Sequence, residues 1–307
     1  MPATTLSPVN PALDRRAYLW GLAIAICGAV LFSAKAIVAK LMYRYHIDAV
    51  TVIGFRMMFS VPIFAAVAVW QMRTGAPLSK RDRLRLVVLG LIGYYLSSFL
   101  DFLGLQYVSA GLERLILFLT PSFVLLISVL FYKKKIGIFE WAALLISYAG
   151  TVLVFLHDVH FGGPDVGLGS ALVLASAISY ALYLLGSGEL VRRVGSMRLV
   201  AYAMCVSSAA CIAQFFLLRP VAELIQPAPV YWYSIVNALF CTVLPVYMTM
   251  VAVERIGATS ASQAGMVGPV STLFLAAIIL GEPITGIQLA GTALVLSGIY
   301  LLSRKRA

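Results

Sequence analysis

Residues 259–303 read TSASQAGMVGPVSTLFLAAIIL, GEPIT and GIQLAGTALVLSGIYLLS: an apolar run, a five-residue break and a second apolar run. Residues 111–132, GLERLILFLTPSFVLLISVLFY, followed by KKKIG and another apolar run to residue 156, carry the same pattern 148 positions earlier without a gap. Pro121 falls on Pro269, Gly150 on Gly298, and Lys133-Lys134-Lys135 on Gly281-Glu282-Pro283. Extended outward, the shift places Gly21 on Gly169 and Ala29 on Ala177, and every apolar run of the first half lands on one of the second. Few letters match, so periodicity and break positions carry the repeat.

Breaking the chain at Gly, Pro and charge clusters gives ten apolar runs: 18–41, 50–71, 84–105, 111–132, 138–156, 167–188, 199–218, 230–253, 259–280 and 286–303. Hydrophobic residues make up 62% of the 307 and charged residues only 11%, with mean hydropathy +0.97. Soluble domains run near ~25% charged, so a water-soluble globular protein is excluded. A crossing helix needs roughly 20 apolar residues, and ten of them leave no room for a soluble domain. The longest links, 72–83 and 219–229, are turn-like.

Five spans per half is an odd number, so the second half enters the membrane from the opposite side. The predicted fold class is an all-α integral membrane protein, ten transmembrane helices as two inverted-topology five-helix repeats around a central cavity. Its parts are a cytoplasmic tail (1–17), the first repeat (18–156), a periplasmic linker (157–166), the second repeat (167–303) and a basic cytoplasmic tail (304–307). Two similar halves of opposite orientation can exchange conformations, one open to each side, with substrate near the midplane; this pattern points to a transporter.

The net charge of +11 comes from 23 Lys and Arg against 12 Asp and Glu. With the N-terminus in the cytoplasm, 17 bases fall on that side: Arg15, Arg16, Arg73, Lys80, Arg81, Arg83, Arg85, Lys133–Lys135, Arg192, Arg193, Arg198, Arg255, Arg304, Lys305 and Arg306. Lys40, Arg44 and Arg219 fall on the other, so the positive-inside rule places both termini in the cytoplasm. Basic residues spread over loops act as orientation signal and headgroup contact rather than as a nucleic-acid surface. Arg15-Arg16, the first apolar run and Ala34-Lys35-Ala36 have the outline of a cleaved signal, but the repeat requires this segment. Cys27, Cys205, Cys211 and Cys241 lie in spans and have no disulfide or metal spacing. His157 and His160 flank Asp158 in the expected outer loop and read as solvated.

The three remaining bases, Lys35, Arg56 and Arg114, lie inside spans, as do Asp101 and Glu113. Counted along their spans, all five fall in the outer part of the membrane, where opposite charges offset a burial cost of roughly 2.5–3.5 kcal/mol each at the bilayer centre. They read as an outer gate or cavity lining; the alternative has Lys35 and Arg56 reaching for headgroups while Asp101 and Arg114 form a structural pair. Helical spacing adds two polar stripes, Tyr94, Ser97, Ser98 and Asp101 on the third span and Ser176, Tyr180, Tyr183 and Ser187 on the sixth. The shift maps Phe32 on Tyr180 and Lys35 on Tyr183, so spans one and six present equivalent faces. Asn237, Gln263 and Met266 are further pathway candidates. Pro121 and Pro269, at equivalent mid-span positions, with Gly268 and Pro245, are candidate hinges, because proline removes a ladder hydrogen bond.

Residues 104–156, and their partner from Ala252 onward, resemble the repeat unit of the EamA-type drug/metabolite transporter superfamily. The family pattern is a small residue near the span start, a mid-span Pro, Gly-Glu, and a Gly-containing final span. The second half has Ala258, Ser260, Pro269, Gly281-Glu282-Pro283, Gln288, Gly291 and Gly298. The first has Ala110, Pro121, Glu140 and Gly150, with Lys133-Lys134-Lys135 where Gly-Glu is expected. The resemblance covers essentially the whole chain and implies a central cavity lined by spans 1, 3, 4, 6, 8 and 9. Within the family the chain is most similar to YddG-like exporters of amino acids, especially aromatic and neutral ones.

The expected function is export of small metabolites, above all neutral and aromatic amino acids, across a bacterial cytoplasmic membrane by alternating access, with the lipid bilayer as surroundings and without enzymatic activity, cofactor, metal or nucleic acid. The sequence leaves the oligomeric state open. Sugar-phosphate and nucleotide-sugar translocators need bases near the cavity centre, and spans 8 and 9 have none before Arg255. Exporters of amphipathic cations need a carboxylate free to exchange protons, whereas Asp101 and Glu113 have bases nearby. An intramembrane enzyme would need a nucleophile with a base, or a metal cluster.

Overall fold

The computed structural model describes residues 11–75, 77–132, 137–161 and 163–304, with the side chains of residues 11–14, 132, 161, 189, 257–259, 262–263 and 302–304 outside that description. Among the described residues the chain is all helical, without strands. In chain order the α-helices are α1 (Pro11–Tyr43), α2 (Ala49–Thr74), α3 (Lys80–Gly90), α4 (Ser97–Leu105), α5 (Ala110–Leu117), α6 (Thr120–Tyr132) and α7 (Ile138–Phe161). They continue with α8 (Val166–Val194), α9 (Ser196–Leu218), α10 (Ala228–Ala238), α11 (Leu244–Ala264), α12 (Val267–Leu275) and α13 (Gly286–Arg304). Wider π turns, Leu91–Leu96 and Leu239–Val243, join α3 to α4 and α10 to α11, and a third, Ala276–Leu280, extends α12.

Eight of the described helical segments are long and apolar enough to cross a membrane, and two shorter apolar ones, Val267–Leu280 and Gly286–Leu301, follow them. The distribution of side chains is the one a lipid solvent selects. Leu217 is 83% exposed and Leu130 76%, while Ser60, Ser122, Ser147, Ser207, Ser208, Ser234 and Asn237 are fully buried between helices. Hydrocarbon gives apolar side chains no reason to hide, so small and polar residues fill the interhelical seams instead.

Helices pair in a regular scheme: α1 lies along α11, α4 along α8, α2 along α9 and α7 along α13. The 148-residue shift exchanges the first two pairings and maps each of the last two on itself. The α7–α13 seam shows why. A Cβ on Gly150 would stand 2.6 Å from the Gly291 carbonyl oxygen, and one on Gly298 would stand 2.6 Å from that of Ala143. The shift carries each of these two contacts onto the other. The π turns Leu91–Leu96 and Leu239–Val243 also start 148 positions apart, so both halves widen the helix at the same place.

Two helix breaks are equivalent as well. α5 ends at Leu117 and α6 begins at Thr120; α11 ends at Ala264 and α12 begins at Val267. Pro121 and Pro269 stand in the first turn after each break, where an N–H has no intrahelical acceptor and proline's lack of one costs little. The sequence pattern ends one span at Val253 and starts the next at Thr259, but α11 runs through both. Glu254 and Arg255 do not stop a helix, and Gly257 alone costs only about 1 kcal/mol. Likewise α7 continues to Phe161, so His157, Asp158 and His160 sit on its last turns rather than in a loop. Lys133–Lys135 lie outside the described residues.

Asp48 closes the end of the bundle where α1 turns into α2. Its carboxylate accepts from Thr51 N at 3.0 Å, capping α2, and from Arg219 Nε at 2.8 Å, tying α2 to the end of α9. Burial pushes the Asp48 carboxyl up, but the Arg219 and Thr51 hydrogen bonds outweigh it and hold the group below its ordinary value.

Gly150→Ala and Gly298→Ala are each expected to destabilise the protein by about 1–3 kcal/mol through overpacking. Gly167→Ala, with nothing within 4 Å of the added carbon, should not lower the thermal midpoint. The Asp48 contribution is fully present above the unfolded carboxyl value, about 3.9, and disappears as pH falls through the lower folded one. Thermal melts of Asp48→Asn and wild type should therefore differ at pH 6 and converge toward pH 3.

Candidate functional site

A cavity of about 480 Å³ lies between the two halves. Its wall draws on α1 (Phe32, Lys35), α2 (Arg56), the helix through α3 and α4 (Tyr94, Ser97, Ser98, Asp101) and the break between α5 and α6 (Arg114, Phe118, Pro121). The second half contributes Ser176 and Tyr180 from α8, Thr242, Val246 and Thr249 from the region opening α11, and Met266 from the second break. From the charged residues the cavity extends toward the end of the bundle that carries the termini, where Ala25, Leu184, Val253 and Ile299 line it.

The five ionisable residues form one cluster at the Asp48 end of the cavity, all buried. Lys35 is its centre: its ammonium bonds Asp101 and lies 3.3 Å from Glu113 Oε1. Asp101 therefore pairs with Lys35 rather than Arg114, and neither Lys35 nor Arg56 reaches for headgroups. Arg56 Nε donates to Thr242 Oγ1 at 2.7 Å, which crosses between the halves. Arg114 Nη2 donates to Ser33 Oγ at 3.2 Å, and the Ser33 hydroxyl donates to the Gly268 carbonyl at 3.0 Å. A Cβ at position 268 would stand 2.7 Å from Arg114 Nη2, so glycine there makes room for the guanidinium. Two rings link the cations: Phe32 lies 5.5 Å from Lys35 and 5.1 Å from Arg114, and Phe102 lies 5.4 Å from Lys35 and 5.1 Å from Arg56.

Polar stripes on α4 and α8 meet face to face. Ser176 Oγ donates to the Ser97 carbonyl at 2.7 Å, and the two hydroxyls are 3.1 Å apart. Tyr94 and Tyr180 stand edge to face on the cavity wall, with ring centroids 6.3 Å apart. Tyr183 is buried behind them, its hydroxyl 3.4 Å from that of Tyr94, and does not line the cavity. Asn237, Glu113, Pro245, Gly268 and Pro269 also stand behind the wall, and the Gln263 side chain lies outside the described residues. Thr242, Val246 and Thr249 were missed by the stripe argument, although shifting Tyr94, Ser98 and Asp101 by 148 positions lands on them.

Beyond the cluster the Asp48 end is sealed by further contacts between the halves. Gly281 adopts φ 75° and turns the chain so that Glu282 points at α5, its carboxylate 3.4 Å from Ala110 N and 3.9 Å from Lys40 Nζ. Burial raises the Glu282 carboxyl above the ordinary carboxylate range, with Lys40 pulling it partly back. Arg44 Nη2 donates to the Leu280 carbonyl at 2.9 Å; within the first half, Ser109, the cap of α5, donates to Asp158 on α7 at 2.6 Å. At the terminal end, Asp82 accepts from Arg193 Nη2 at 2.8 Å, on a side chain 46% exposed.

The sequence matches the EamA-like transporter family twice, over residues 19–156 and 167–304. It is 30% identical over 283 residues to the transporter YcbK of Bacillus subtilis (strain 168), covering 88% of both chains. A transporter of Archaeoglobus fulgidus is 25% identical, with 94% of this chain and 95% of that one aligned. The inner membrane transporter YicL of Salmonella typhimurium is 24% identical, over 75% of this chain and 77% of that one. A crystal structure with TM-score 0.65 and 17% identity covers 93% of this chain and 98% of its own, a likeness of fold. A cavity between helical halves and a family match to each half converge: this chain is a multi-pass membrane protein of the EamA-like transporter family, a transporter of small molecules rather than an enzyme.

Proposed function

We propose that the protein exports neutral amino acids, aromatic ones above all, across the bacterial cytoplasmic membrane by alternating access, in the manner of YddG-like exporters. The carrying observation is the cavity itself, walled by Phe32, Tyr94, Phe118 and Tyr180 and ending in a mixed-charge cluster. Aromatic walls suit an apolar side chain, and charged and hydroxyl groups at one end suit a zwitterionic head. An amphipathic cation would meet three bases there.

On this reading the chain has ten spans in two inverted five-helix repeats. Support comes from the two family matches, the paired π turns and breaks, and the helix pairings that the 148-residue shift preserves. Val267–Leu280 and Gly286–Leu301 then serve as the ninth and tenth crossings. Fourteen residues of helix reach only about 21 Å, so the ninth also uses the end of α11. The 17-to-3 distribution of bases supports a cytoplasmic location for both termini. The cavity then faces the cytoplasm, and the cluster of Lys35, Asp101 and Glu113, with Glu282 and Asp48 outside it, is the closed outer gate. Paired breaks at Pro121 and at Gly268-Pro269 supply the hinges.

Reconstituted vesicles loaded with labelled phenylalanine, tyrosine, leucine and alanine should show protein-dependent flux; folded protein without flux of any of them overturns the proposal. The gate makes a separate demand. Lys35→Met leaves Asp101 and Glu113 without the cation they share and should cost about 3–5 kcal/mol of stability, whereas Asp101→Asn leaves Lys35 its Glu113 contact and should cost less. The triple variant Lys35→Met, Asp101→Asn, Glu113→Gln should recover most of the loss in thermal melts yet lose the wild-type transport rate, because the ionic closure is gone. Wild-type flux from the stable triple variant would make the cluster structural.

A further inference from the structure

Among the described residues, two of the three cations of the cluster form no ion pair. Lys35 holds both carboxylates of the cluster, and among the described residues no carboxylate oxygen lies within 4.0 Å of Arg56 or Arg114. Each guanidinium makes one hydrogen bond, to the hydroxyls of Thr242 and Ser33, while Arg56 Nη1 and Arg114 Nε are buried with no acceptor. Both side chains line the cavity and are more than nine-tenths buried. Aromatic rings lie against both: the Arg56 guanidinium carbon stands 5.1 Å from the Phe102 ring centre, and that of Arg114 5.1 Å from Phe32 and 5.5 Å from Phe118. The edge of a guanidinium is the part that matches a carboxylate, two N–H donors to two oxygens.

We propose that Arg56 and Arg114 form a carboxylate-binding subsite, holding the carboxylate of a substrate whose apolar body lies along Tyr94, Tyr180 and Phe118. This rests on the transport reading above and assigns the chemical group the cavity recognises. Three bases against two carboxylates leave one positive charge over, which a single carboxylate cancels and a phosphate monoester dianion overshoots. Unpaired guanidinium groups at membrane depth are costly, so the ligand supplies the missing counter-charge. Gly268 belongs to the subsite as spacer, since any side chain there displaces Arg114. The carboxylate belongs either to an amino acid or to a simple apolar monocarboxylate, and the two are separated by experiment.

The test is ligand binding to purified full-length protein, by calorimetry and by ligand-induced thermal shift, with L-phenylalanine, 3-phenylpropionate, phenethylamine and phenyl phosphate as probes. At least one of the two carboxylates should bind, phenethylamine should not, and phenyl phosphate should bind more weakly than the carboxylate. Arg56→Gln and Arg114→Gln should each weaken carboxylate binding by on the order of tenfold or more, the loss of a charge-assisted hydrogen-bonded pair. Arg56→Lys, which keeps the charge and loses the fork, should fall between.

Binding of phenethylamine as tight as 3-phenylpropionate, tighter binding of phenyl phosphate, or binding of neither carboxylate overturns the subsite, and these wild-type readouts do not depend on how the variants fold. Unchanged affinity in folded glutamine variants overturns it as well. If 3-phenylpropionate binds while L-phenylalanine neither binds nor is transported, the subsite stands and the amino-acid reading falls. If L-phenylalanine is transported with unchanged affinity in both glutamine variants, the reading stands and the subsite falls.

Discussion

One ammonium group, that of Lys35, holds two carboxylates, and all three side chains are buried within the bundle. It bonds Asp101 on α4 and faces Glu113 at the start of α5, so α1, α4 and α5 meet at a single point. An isolated charge in hydrocarbon would neutralise or move to the surface; here each is kept by the others. The rest of the cavity end is arranged around that point. Phe102 and Phe32 lie beside the ammonium, with Arg56 over the first ring and Arg114 over the second, so all three cations share two rings. Arg56 then reaches Thr242, and Arg114 reaches Gly268 through Ser33, which ties the first half of the chain to the second.

Much of this was legible in the sequence, for a physical reason. Long apolar runs and the few charges inside them are strong signals in a membrane protein, because burying a charge in lipid is costly enough to be rare. So the five cluster residues, the stripe from Tyr94 to Asp101 and the paired prolines could be picked from letters alone, and the cavity wall includes Lys35, Arg56, Asp101, Arg114, Tyr94 and Pro121. What the letters left open is which charge pairs with which. Lys35 and Arg114 are both within reach of Asp101 on a helical count, and the folded packing of the helices pairs Asp101 with Lys35. Tyr183 failed for a related reason: it shares the stripe of Tyr180, but Gly93 opens a slot on the neighbouring helix that draws the ring behind the wall, with a centroid distance of 5.0 Å to Tyr94. Helix ends were the weakest reading, since polar letters such as Glu254-Arg255 mark an aqueous surface without forcing the backbone to turn.

The 148-residue correspondence extends to breaks, π turns and close seams, but not to charge. Lys35, Arg56, Asp101, Glu113 and Arg114 correspond to Tyr183, Met204, Thr249, Ala261 and Ser262. Every ionisable group of the cluster thus belongs to one half, and its counterpart in the other is neutral. Backbone architecture and chemistry are separable here: the first needs glycines, prolines and small residues at matching places, and the second needs only side chains that differ.

On the proposed reading the carrier alternates between two closures, and the separation makes them chemically different. At the Asp48 end closure would be ionic, made by the cluster and, outside it, by Glu282 and Asp48. In an environment of low dielectric such contacts are strong, specific in geometry and sensitive to an incoming charge. The corresponding positions of the second half are a phenol, a thioether, two hydroxyls and a methyl, so on that reading closure at the terminal end, beside the half-exposed Asp82–Arg193 pair, relies more on packing, which responds to the shape of a ligand more than to its charge. A substrate with a carboxylate at one end and an apolar ring at the other presents a different face to each closure. On the proposed reading, the first half reads the head of the substrate and the second half reads its body. Two halves built on one backbone pattern need different side chains to do this, which is why the charge is confined to one of them.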